Sequence, residues 1–166
     1  MRHSLVIAAI FLIASFCSPA FAEEQNGLKL TVLKTTIERN DHNNYFYSGN
    51  INRMAGLKTT VKNVSFKPMP EGVVEWEILN RKYLSDTIES TKGTEKLQAL
   101  DPAEEASLVI GAAQMRGWAD GTNRYKDKLE WRVIVKMAGK EMVKIVTTAS
   151  FDSLAKKAVQ VQAPAK

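Results

Sequence analysis

Past residue 22 the sequence contains no cysteine, because its single cysteine is Cys17. No disulfide can staple residues 23–166, so an ordinary hydrophobic core must hold them together unaided. Only two histidines occur, one of them His3. Histidine is the usual general base near neutral pH, so a Ser-His-Asp site would have to use His42, in the loop-like run Asp41-His42-Asn43-Asn44. Zinc sites take several His or Cys ligands, and that set is missing. Asp120, Thr122, Asn123 and Asp127 bear oxygen ligands of the kind calcium takes, yet Arg116, Arg124, Lys126 and Lys128 crowd the same stretch and would repel a cation. The glycines are scattered at turns, which leaves no phosphate-cradling loop. Glu75 and Glu77 share a strand face as paired glycosidase carboxylates would, but the polar outer face of a sheet accounts for them. No cofactor, no metal and no catalytic residue are expected, and the chain reads as a non-enzyme. The net charge of +5 is interspersed, with no basic stripe carrying interleaved aromatics, so nucleic acid is not expected as a partner.

Long apolar runs are also missing, except at the start. Arg2 and His3 precede LVIAAIFLIASF, and Ala20-Phe21-Ala22 places small residues at −3 and −1 of a cut before Glu23. That is the layout of a secretory signal peptide over residues 1–22. The apolar run falls short of the ~20 residues a membrane span needs. Bulky Phe16 ahead of Cys17 argues against a lipidated cysteine. The expected location is secreted or periplasmic after cleavage near Ala22, with no transmembrane segment in what remains.

What is present is β-patterning. In LEWRVIVKMAGKEMVKIVTTA (129–149), Leu129, Trp131, Val133, Val135 and Met137 alternate with polar or outward residues. After Ala138-Gly139-Lys140 the alternation resumes at Val143, Ile145 and Thr147. Period-two patterning broken once at a glycine predicts a hairpin. A loop of about three residues sets Val135 against Val143 and Val133 against Ile145. A lone hairpin is marginal in water, so its apolar face calls for a second sheet.

Further strands are predicted at LKLTVLKTTI (28–37), LKTTVKNVSF (57–66), GVVEWEILNRKYL (72–84) and EASLVIGAA (105–113). Thr87-Ile88-Glu89 reads as a short edge piece, with a turn at Gly93. Pro68, Pro70 and Gly72 force a corner, and Trp76 and Trp131 form a candidate sandwich nucleus. With no long helix for parallel crossovers the sheets should be antiparallel. The fold class is all-β: an immunoglobulin-like antiparallel β-sandwich of about seven strands over 23–149, followed by a C-terminal tail at 150–166. Residues 111–128, GAAQMRGWADGTNRYKDK, hold three glycines and read as a long loop, either a lid over a groove or a latch with Trp118 packed across the sandwich.

VKNVSFKPMPEGVVEW, LDPAEEASLVIG and the LEWRVIVKM hairpin resemble secreted bacterial immunoglobulin-like domain proteins, in particular those encoded alongside type IV pilus-like machinery. The shared pattern is an Asn-x-Ser turn, a Pro-Gly corner, a Trp-bearing strand and a Pro-containing turn before the next strand. The resemblance implies the sandwich, no catalytic motif, and a role as a non-enzymatic interaction module. Its partner would be an envelope or surface protein, pilus components or host factors among them. The candidate ligand-binding residues are Tyr45, Tyr47, Met115, Arg116, Trp118 and Tyr125, of types enriched at binding hot spots. The alternative is a carbohydrate-binding module using the loop aromatics as stacking platforms for a glycan.

Overall fold

In a computed structural model, which describes residues 20–39, 42–44, 48–120 and 123–161, the alternating segments pair into two facing sheets. The first runs β1 (Phe21–Gln25), β2 (Leu28–Arg39), β4 (Ser48–Asn63), β7 (Glu105–Asp120), β8 (Asn123–Lys126), with β3 (His42–Asn44) also on β4. The second runs β10 (Lys140–Val146), β9 (Lys128–Met137), β5 (Gly72–Arg81), β6 (Ile88–Leu97), β11 (Val159–Gln160). Every pairing except the parallel β6–β11 contact is antiparallel. The chain is therefore all-β in two layers, with eleven strands among the described residues where about seven were expected. The helix α1 (Phe151–Lys157) has seven residues, and no helix among the described residues is long and apolar enough to cross a membrane.

The β9–β10 hairpin has the expected register, Val135 opposite Val143 and Val133 opposite Ile145. It arises differently from the expected three-residue loop. Met137 pairs with Lys140, leaving a two-residue turn in which Ala138 and Gly139 have φ of 47° and 76°. A bulge between Glu141 and Val143 then shifts the pairing by one residue. A left-handed two-residue turn plus one extra residue restores the inward set to the core face.

The core lies between the sheets. Leu28, Leu30, Val32, Leu57 and Val61 from the first sheet meet Val74, Trp76, Ile78, Val133 and Val135 from the second. Trp76 and Trp131 are both buried, but on neighbouring strands of one sheet rather than across the sandwich: Trp76 pairs with Val133, and Ile78 with Trp131. Gly93 is no turn. It sits mid-strand opposite Trp76, where a Cβ would lie 2.6 Å from the indole Cζ2. The glycine makes the slot that the ring fills, and β6 therefore continues for ten residues.

The lid-like loop is corrected as well. Residues 105–120 form one sixteen-residue strand, and β8 returns along it, pairing Gly117 with Lys126 and Trp118 with Tyr125. Ala113, Met115 and Gly117 are buried while Gln114, Arg116 and Trp118 are exposed, the same alternation seen elsewhere. What hid it is a change of phase. Leu108 and Ile110 face in on even numbers, and the switch to odd numbers occurs at Gly111, whose φ of 68° makes a bulge opposite Gly56. Such bulges take glycine because its backbone enters the left-handed region without a steric penalty.

Residues 151–161 dock on the second sheet. Phe151 is 1% exposed and packs with Leu79 and Ile88 on the outer face of the second sheet. Arg132 lies over its ring at 5.0 Å and pairs with Asp152 and Glu77, each at 2.7 Å. Val161 donates its N–H to the Ser90 carbonyl at 2.9 Å. Glu75 pairs with Lys136 at 2.8 Å, so both outward glutamates belong to ion pairs on the outer face of the sheet.

Candidate binding surface

Sixteen residues at about 3.3 Å each make β4 and β7 roughly 53 Å long, against about 33 Å for the ten-residue strands opposite. The first sheet must therefore overhang the second. The overhang is an arm made of β3, the first half of β4, the end of β7 and β8. The arm carries Trp118 and Tyr125, 37% and 54% exposed, directly opposite one another in the β7–β8 ladder. Their ring centroids lie 6.3 Å apart with planes 20° from parallel. Two large rings on a solvated surface leave apolar area uncovered while their stacking holds them in place.

Arg116 is exposed two residues before Trp118, on the same strand face. Met115 is not available to a ligand: it is 5% exposed and belongs to the main core cluster. Its neighbour's exposure and its own burial both follow from strand alternation, which the loop reading could not anticipate. Tyr45 and Tyr47 lie outside the described residues. Of the six candidate residues the structure thus brings Arg116, Trp118 and Tyr125 together on one face.

Where the arm meets the sandwich, Asp127 acts as a clamp. It is 1% exposed and accepts the Tyr83 N–H at 3.1 Å and the Arg116 N–H at 3.0 Å. Its own N–H donates to the Arg116 carbonyl at 2.9 Å. The Lys82 ammonium stands 3.5 Å from one carboxylate oxygen and 2.7 Å from Glu89. Asn80, also buried, donates its amide to the Gln114 carbonyl at 2.9 Å. One carboxylate therefore ties β7, the β8–β9 connection and the β5–β6 loop to each other. A cleft of about 320 Å³ opens beside it, lined by Lys82, Tyr83, Leu84, Gln114, Arg116 and Asp127 among others. Sequence reasoning weighed Asp127 only as a calcium ligand. Its neighbours Lys126 and Lys128 made it look solvated, and the Tyr83 amide that it holds lies 44 positions away.

Positive charge gathers around Lys34 on β2, beside the arm residues Lys126 and Arg53. Half-burial of Lys34 pushes its ammonium below the ordinary lysine value, and the positive charges of Lys126 and Arg53 push it the same way. Desolvation and like charge both disfavour the protonated form. Among the described residues no three of His, Cys, Asp and Glu gather as a metal site.

No known family model matches the chain, and no curated protein matches its sequence. Among solved structures, a crystal structure of a protein from Akkermansia muciniphila aligns over 86% of this chain and 84% of that one. Its TM-score is 0.37 and its identity 8%, a likeness too distant to carry any functional assignment.

Proposed function

We propose that the chain is an exported, non-enzymatic immunoglobulin-like module that binds a protein partner of the bacterial envelope or surface through its arm. The observation that carries this reading is the exposed Trp118–Tyr125 stack beside Arg116, on strands that project past the sandwich. The few residues that carry most of the binding energy at protein interfaces are enriched in Trp, Tyr and Arg. The order β10-β9-β5-β6 supports the immunoglobulin-like part, since it matches the G-F-C-C′ order of a variable-type sheet. Export rests on the basic start, apolar core and small-residue cleavage pattern at residues 1–22. Pilus components belong to the partner class that the sequence resemblance suggests.

A photo-crosslinking residue placed at Tyr125 tests the reading in envelope extract. One discrete protein adduct is expected, and it should be lost when Trp118→Ala is combined with the crosslinker. No adduct, with a known adhesin captured in parallel, would remove the proposal. A glycan-binding role is the second reading, favoured by the near-parallel, half-exposed rings of Trp118 and Tyr125. Binding on a glycan array that disappears in Tyr125→Ala would select it over the first.

A further inference from the structure

The strand β1 is anchored by one side chain. It turns back into β2 through Asn26 and Gly27, with φ of 51° and 77°, the left-handed pair that two-residue hairpins prefer. Its register runs from Phe21 opposite Val32 to Gln25 opposite Leu28. The Asn26 amide donates to the Met142 carbonyl at 2.7 Å, pinning this turn to the edge of the other sheet. Ala22, Glu23, Glu24 and Gln25 are all exposed. Phe21 alone packs against the main core, its ring edge-on to Trp131 with centroids 5.6 Å apart and planes at 89°.

A cut between Ala22 and Glu23 would discard that ring. It would leave three polar residues as the strand, unpair Thr31 and Val32 on that side, and open the edge of Trp131, now only 6% exposed. A three-residue polar strand at a sheet edge contributes little burial to offset the entropy of ordering it. The Asn-Gly turn and its side-chain tether would then hold almost nothing. The sequence contains a second cut of the same chemistry two residues earlier. Ser18-Pro19-Ala20 also places small residues at −3 and −1, the pattern a signal peptidase reads. Ala20 is exposed immediately before the strand begins.

We infer that export processing cuts after Ala20, so that the mature chain begins at Phe21 and keeps this ring as the plug over Trp131. The inference rests on the export reading proposed above. The reaction is hydrolysis by a signal peptidase: water adds across the Ala20–Phe21 peptide bond, the leader departs with the Ala20 carboxylate, and Phe21 acquires the free α-amino group.

The test is N-terminal sequencing and intact mass of the full chain exported from a bacterial host, with two variants that separate the cuts. Ser18→Leu occupies −3 of the Ala20 cut and lies outside the −3 and −1 positions of the Ala22 cut. Ala22→Leu occupies −1 of the Ala22 cut and lies beyond the Ala20 cut. A wild-type start at Phe21, unchanged in Ala22→Leu and lost in Ser18→Leu, is the expected result. A start at Glu23, or accumulation of precursor in Ala22→Leu alone, overturns the inference while leaving export intact. A chain retained in the cell with residues 1–20 attached overturns both.

Discussion

Replacing Asp127 with alanine should loosen the arm and destabilise the whole domain. The change removes the acceptor of two part-buried backbone hydrogen bonds, from Tyr83 N–H at 3.1 Å and from Arg116 N–H at 3.0 Å. It also takes one of two carboxylates from Lys82, which retains Glu89 at 2.7 Å. A fully buried donor left unsatisfied costs about 1–3 kcal/mol, so two part-buried donors together should cost about 1–3 kcal/mol. Asp127→Asn keeps one acceptor oxygen and should lose about half as much. Urea unfolding followed by tryptophan fluorescence measures the global effect, and hydrogen exchange at the amides of Tyr83 and Arg116 localises it. Both amides should exchange faster in the alanine variant before global unfolding does. An alanine variant within about 0.5 kcal/mol of wild type, the usual scale of an inconsequential surface change, would refute the clamp.

Trp118→Ala should cost about 1 kcal/mol, the scale of an exposed aromatic pair. Trp76→Ala and Trp131→Ala should each cost about 3–5 kcal/mol as core truncations, and equal losses in denaturant unfolding of the three variants would mean that Trp118 is core. Gly93→Ala puts a Cβ 2.6 Å from the Trp76 ring and should cost about 1–3 kcal/mol by overpacking, read as a lower urea midpoint. Lys34→Met should stabilise the protein at neutral pH. The lowered Lys34 value means that the unfolded chain binds more protons there, so this site's penalty is full below the folded value and fades as pH rises toward the ordinary one. The advantage of the Lys34→Met variant in thermal midpoint should therefore shrink in alkaline buffer, and a constant gain from neutral pH upward would assign it to packing alone.

Local chemistry, repeated within a few residues, determined the all-β class and the β9–β10 register. Alternation from Leu129 to Ile145 chose the inward face, and Ala138-Gly139 set the reversal, so nothing distant was needed. The β1–β2 hairpin was not anticipated, because the first two residues of β1 also complete a signal-peptide pattern. Glycines misled wherever a neighbour decides what they are for. Gly93 looks like a turn until Trp76 lies across it, and Gly111 looks like a loop joint until Gly56 faces it as a bulge. Phe151 likewise reads as part of a polar end, and only the outer face of the second sheet makes it core. Asp127 lies furthest from the reach of sequence. Its burial depends on a loop that returns Tyr83 from 44 positions away, and a carboxylate between two lysines carries no local mark of that. Periodicity is a property of adjacent residues, whereas burial of a polar group and the fit of a ring over glycine are made by pairs that meet only after folding.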